Sequence, residues 1–178
     1  GEASEQFGSS VAIDGDTVVV GAPLHDGVAG SNAGAAFVFT HAAGTWTEQT
    51  TLLASDAMPG DEFGISVDLV GDLAVIGAHR DDHGAAPVDA GSAYVYQGSG
   101  ANGNELQRLS ASNALAGDGF GRAVALASGR LLIGASLDDT AAGSNAGSFF
   151  EFTADGGTWV EASQEFATGA LAGDQLGQ

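Results

Sequence analysis

Three stretches of this chain are versions of one another. Ser4–Pro23 reads SEQFGSSVAIDGDTVVVGAP, Gly60–His79 reads GDEFGISVDLVGDLAVIGAH, and Gly117–Ser136 reads GDGFGRAVALASGRLLIGAS; a fourth start, GDQLGQ, runs to Gln178. The landmarks Phe7, Phe63, Phe120 and Leu176 are separated by 56, 57 and 56 residues. A repeat of this size implies one supersecondary unit that buries its apolar face only by stacking on its neighbours.

Each unit contains four short strand-like segments. In the first they are SSVAIDG, TVVVGA, AAFVFTHA and TWTEQTTLLA; in the second ISVDLV, LAVIGA, SAYVYQG and NELQRLSA; in the third RAVALA, RLLIGA, SFFEFTA and TWVEASQEFA. Asp14-Gly15-Asp16 between the first two is a hairpin signal, because Asp-Gly supplies the positive φ that a tight turn needs. No segment keeps a 3.6-residue apolar period over a helical length. The chain is therefore expected to be all-β, built of β-propeller blades: three four-stranded antiparallel repeats of about 56 residues. One repeat region, 1–178, divides at 7–62, 63–119 and 120–175, and a fourth unit starts at 176–178. A three-sheet prism or a β-solenoid is the competing architecture. Three blades do not close a ring, since rings hold roughly four to eight. The blades are thus expected to belong to a six- or seven-bladed ring, the truncated fourth start favouring a fragment, or to a ring closed by oligomerisation such as a symmetric dimer.

Composition bounds the partners. The formal charge is −19, from 23 acidic residues against 4 basic ones, all arginine. Nucleic acid needs a basic face and anionic lipid needs basic residues, so neither is expected as a partner. With no cysteine, disulfides and thiolate metal sites are excluded. Apolar runs fall far short of the roughly 18 residues of a transmembrane helix, so membrane insertion is not expected. No signal-peptide pattern opens the chain, which is consistent with a mature chain, a fragment or a cytoplasmic protein.

Phe-Gly opens each unit, and Gly21-Ala22-Pro23 closes the second strand, weakened to Gly77-Ala78-His79 and Gly134-Ala135-Ser136. The Phe-to-Gly step is 14 residues each time, and an Ala-Gly pair recurs at 33–34, 90–91 and 146–147. This pattern resembles the FG-GAP repeat of integrin α-subunit propellers and their bacterial and archaeal relatives, over essentially the whole chain. The resemblance implies an extracellular or cell-surface, non-enzymatic module for adhesion, recognition or assembly. Its partners would be a protein or glycan ligand, or copies of itself. The alternatives are a substrate-docking propeller of a larger secreted hydrolase and a structural subunit of a surface layer or fibre. The Phe rings are expected to be buried between sheets rather than to form a ligand platform. Trp46 and Trp159, 39 residues after their Phe, are expected to be core rather than sugar-stacking groups.

Integrin-type blades hold Ca²⁺ in an Asp-rich hairpin between the first two strands. Here those turns are too short to supply enough oxygens, a departure from the family pattern. Acidic residues gather one loop later instead: Asp26, Asp81-Asp82 and Asp138-Asp139, each followed by Asn32, Asp89 or Asn145 before the Ala-Gly pair. Two readings stay open. These eight residues are candidate ligands of a hard cation, which takes about 6–8 oxygens, or they cap turns with their own side chains. Asp61, Asp118 and Asp174 read as turn formers that set the blade-to-blade step. The dense HRDDHG cluster (His79, Asp81, Asp82, His83) imitates a transition-metal site or simply decorates an acidic loop. No nucleophile elbow, phosphate loop or HExxH motif is present, so no enzyme activity is expected.

Overall fold

The computed structural model describes residues 4–82, 88–98 and 103–178. Their strands form three four-stranded antiparallel sheets, each in chain order. The first holds β1 (Ser10–Asp14), β2 (Thr17–Ala22), β3 (Ala35–Ala42) and β4 (Thr45–Leu52); the second β5 (Ser66–Val70), β6 (Leu73–Ala78), β7 (Ser92–Gln97) and β8 (Asn104–Leu109). The third holds β9 (Phe120–Ala127), β10 (Arg130–Ala135), β11 (Ser148–Asp155) and β12 (Thr158–Glu165). Among the described residues no helix is long and apolar enough to cross a membrane.

Local sequence explains each hairpin. Asp14 pairs with Thr17, Val70 with Leu73 and Ala127 with Arg130, so the first two strands of every blade are joined by two-residue loops. Gly15 and Gly71 open their loops at φ +55° and +60°, whereas the third loop moves its glycine one place on, to Gly129. The outer strand pairs share another feature. The ladder slips at Val38/Phe39, at Val95/Tyr96 and at Glu151/Phe152, the same place in every blade.

The sheets stack face to face. Val19, Val38 and Leu52 of the first blade meet Phe63, Ile76 and Tyr94 of the second; Val75, Val95 and Leu109 of the second meet Phe120, Ile133 and Phe150 of the third. β1 packs on β5 and β5 on β9, while the outer strands β8 and β12 barely touch. Sheets closest at one edge and splayed at the other are blades set around an axis. The three do not close a ring.

Each landmark Phe packs edge-on against two aromatics of its own third strand. Phe63 lies 5.4 Å and 6.1 Å from Tyr94 and Tyr96, ring centre to ring centre, and Phe120 keeps the same distances to Phe150 and Phe152. The preceding blade covers both rings, which are fully buried. Phe7 keeps the arrangement with Phe37 and Phe39 but is 54 % exposed. Its expected burial fails because no described sheet packs on that side of the first blade. The tryptophans divide in the same way: Trp159 is core beneath the second blade, while Trp46 is exposed beside His41.

Candidate functional site: the loops at the blade junctions

The glycines of the repeat meet at the junctions. A Cβ built on Gly21 would lie 2.0 Å from the carbonyl oxygen of Gly64; on Gly77, 1.9 Å from that of Gly121; on Gly134, 2.0 Å from that of Gly177. The Gly of one blade's Gly-Ala thus touches the Gly of the next blade's Phe-Gly, backbone on backbone. Only glycine permits this approach. The Ala-Gly pairs make the second half of the joint. Phe63, Phe120 and Leu176 donate backbone N–H bonds to the carbonyls of Ala33, Ala90 and Ala146, at 3.1, 2.9 and 3.1 Å. GDQLGQ is therefore docked on the third blade as the other Phe-Gly segments are docked on theirs.

The loops between second and third strands sit over these joints. Asp26, Asp82 and Asp139 each accept a hydrogen bond through Oδ1 from the backbone N–H of Asn32, Asp89 and Asn145, at 2.8, 2.7 and 2.8 Å. Those three partners hold positive φ of +54°, +53° and +52°, a conformation Asn and Asp tolerate better than most residues. The carbonyls of Asn32 and Asn145 in turn accept the N–H of Glu62 and Gln175 in the next unit. The carboxylates close the loop, and the loop carbonyls hold the following blade.

The first residue of each acidic pair does something else. Asp81 is buried; its Oδ2 lies 3.0 Å from the Tyr94 hydroxyl, which also lies 2.8 Å from Asp56 Oδ1. Arg108 pairs with Asp56 and stands 3.7 Å from Asp81. One blade on, Asp138 accepts from the Ser148 hydroxyl and, at 2.7 Å, from the Gln164 amide. There Asn113, Phe150 and Gln164 stand where Asp56, Tyr94 and Arg108 stood. In the first blade His25 takes this place, 2.9 Å from Glu5. Tyr94, Arg108, Ser148, Gln164 and Glu5 were not singled out from the sequence. The signal at Tyr94 and Arg108 is that, with Asp56, they change together to Phe150, Gln164 and Asn113 one repeat later, whereas Ser148 repeats Ser92 and gives no such sign.

The candidate metal ligands make hydrogen bonds within the protein. Asp26, Asp81, Asp82, Asp138 and Asp139 accept hydrogen bonds through a carboxylate oxygen and Asn32 and Asn145 through their carbonyls, while Asp89 donates its backbone N–H to Asp82. Among the described residues no three acidic or histidine side chains converge in a metal-binding group. The described side chains of the HRDDHG cluster have separate partners. His79 turns to Arg122, 2.9 Å away, and Asp81 to Tyr94, while Asp82 caps its loop. His83 lies outside the described residues. Burial, with Arg122 and Arg80 beside it, lowers His79 to about 4, so its imidazole is neutral at physiological pH.

Asp61, Asp118 and Asp174 accept the backbone N–H of Met58, Leu115 and Leu171, at 2.6, 2.7 and 2.8 Å, and so form the turn that steps to the next blade. Burial raises Asp61 and Asp118 from 3.8 to about 6, against the lowering effect of those N–H bonds. Nearby carboxylates add to the rise: Asp81, Asp82 and Asp56 for the first, Asp138 and Asp139 for the second. A raised folded-state value means that folding takes up protons between about 4 and 6. Stability from these groups should rise as pH falls through 6 and be lost as pH climbs back. Asp61→Asn with Asp118→Asn keeps the accepting oxygen and removes the charge. Thermal melts should show this variant more stable than the parent at pH 7.5, with the gap closing near pH 4; a variant less stable throughout would contradict it.

Similarity to known proteins agrees with this geometry. No curated protein matches the sequence. The crystal structure of Saccharomyces cerevisiae Sqt1 superposes with a TM-score of 0.56 at 10% identity, over 96% of this chain and 38% of that one. The chain thus spans well under half of that structure, and at such identity the likeness concerns the fold alone. The profile of the FG-GAP repeat matches residues 1–39, 46–96 and 104–152, one stretch per blade. With most of its length matched, and with the Phe-Gly and Gly-Ala glycines meeting at every joint, this chain belongs to the FG-GAP repeat family.

Proposed function

We propose that these blades form a non-enzymatic recognition module, displayed outside the cell or on its surface, which binds a protein or glycan ligand through the junction loops. One observation carries this reading. Met58, Leu115 and Leu171 occupy the same position at successive junctions and are 48 %, 56 % and 67 % exposed. Val28 and Val88 in the adjoining loops are exposed as well. Single exposed apolar residues are ordinary, but one recurring at every step of a rim makes a row suited to contact. The backbone beneath it is held by the Asp caps and the joint, so side chains there can vary without disturbing the scaffold.

The test replaces the row with serine: Met58→Ser, Leu115→Ser and Leu171→Ser together. Parent and variant would be presented by biolayer interferometry to a glycan panel, to extracellular-matrix proteins and to the chain itself. Binding by the parent that falls at least tenfold in the variant, with an unchanged melting temperature, supports the reading. Binding that survives the triple change would remove the row from the account.

A further inference from the structure

The repeat provides an internal comparison for each junction. At the first, it places Pro23, Leu24 and Ile65; at the corresponding positions of the second stand His79, Arg80 and Arg122. Three apolar side chains have become three nitrogen bases in a chain of charge −19 with only 4 Lys and Arg residues. All three line one cavity of about 500 Å³, together with Gln175 and Gln178 from the docked fourth start.

The two arginines differ in state. Arg80 is ion-paired with Glu62 at 3.0 Å. Arg122 has no carboxylate partner among the described residues, although acidic side chains far outnumber basic ones. Its Nη1 lies 2.9 Å from His79 Nε2. A guanidinium only donates, so Nε2 accepts and the imidazole proton resides on Nδ1. That Nδ1 is buried and has no partner among the described residues. Leaving such a donor unpaired costs stability, and what His79 does in return is hold Arg122 at the cavity wall. Asp89 also lines the cavity. With Arg80 already neutralised by Glu62, the surroundings suit a single negative charge better than a double one.

We propose that this cavity is a binding site for a carboxylate, with Arg122 as its ion-pair partner and His79 as the residue that positions Arg122. A planar carboxylate fits the guanidinium fork through two parallel hydrogen bonds, which a spherical anion does not. The carboxylate comes either from a small free acid or from a Glu or Asp side chain of a bound protein. The site rests on the recognition reading in giving that module a ligand chemistry, but it lies apart from the apolar row.

The experiment follows the side-chain N–H signals of Arg80, Arg122 and Gln178 by NMR in the 178-residue protein. Sodium acetate, a capped Gly-Glu-Gly peptide, sodium phosphate and sodium chloride are titrated at matched ionic strength and pH 7. Saturable shifts with acetate or peptide are expected, with affinity reduced at least tenfold in Arg122→Gln, read at Arg80 and Gln178, and by less in Arg122→Lys. Tighter binding of the peptide than of acetate assigns the carboxylate to a partner's side chain; equal binding assigns it to a small acid. Shifts that do not saturate, that chloride reproduces, or that persist in Arg122→Gln overturn the site. Tighter binding of phosphate overturns its assignment to carboxylate. Carboxylate binding that survives the serine triple variant while rim binding is lost shows the two sites to be separate. Rim binding with no carboxylate site defeats this proposal alone.

Discussion

Gly77→Ala should destabilise the protein by about 3 kcal/mol or more, at or beyond the upper end of ordinary overpacking. The new methyl group would lie 1.9 Å from the carbonyl oxygen of Gly121. That oxygen belongs to the backbone of β9 and cannot swing aside as a side chain would, so the third blade must move as a body. Gly71→Ala is the control. It also alters a glycine of the second blade, at φ +60° but with nothing within 4 Å. The left-handed conformation alone costs roughly 1–2 kcal/mol. Urea unfolding of both variants separates the effects, and equal losses would mean that the close approach contributes nothing.

Phe120→Ala should cost about 3–5 kcal/mol, the usual range for emptying a fully buried aromatic site. Phe7→Ala, at the equivalent position, should cost only about 1 kcal/mol. Phe7 retains its edge-on partners Phe37 and Phe39 but has no blade over it, so most of the burial term is missing. Fluorescence of Trp159, buried in the same cluster as Phe120, reports the transition once Trp46→Phe has removed the exposed tryptophan. A Phe7 variant that loses as much as the Phe120 variant would show the first blade covered in solution.

The architecture was open to sequence reasoning because its signals are local. Hairpin glycines such as Gly15 and Gly71, β-branched runs such as TVVVGA and the step between Phe-Gly and Gly-Ala all report on neighbours within one unit. What the acidic residues do was much less legible. Asp81 and Asp82 read as a pair, yet the turn that follows β6, closed by the Asp81 N–H on the Ala78 carbonyl, sends their side chains to different partners. One is buried against Tyr94 while the other closes the loop on Asp89. Their partners come from different places: Asp56 from the preceding unit, Arg108 from β8 of the same blade. No spacing within one loop announces such partners. The burial of Phe7 misled for the opposite reason, since the pattern that buries Phe63 is complete at Phe7 and only its cover is lacking.

The glycine joints have a consequence for how such a chain changes over time. Where blades are spaced by side chains, every substitution at a junction alters the spacing, and its neighbours must adjust. Here Gly21 on Gly64 and Gly77 on Gly121 act as a gauge made of main chain, the same at both junctions. Around the first gauge stand Pro23, Leu24 and Ile65; around the second, His79, Arg80 and Arg122. A lineage of such chains can rewrite the chemistry of one junction while the pitch from blade to blade stays constant.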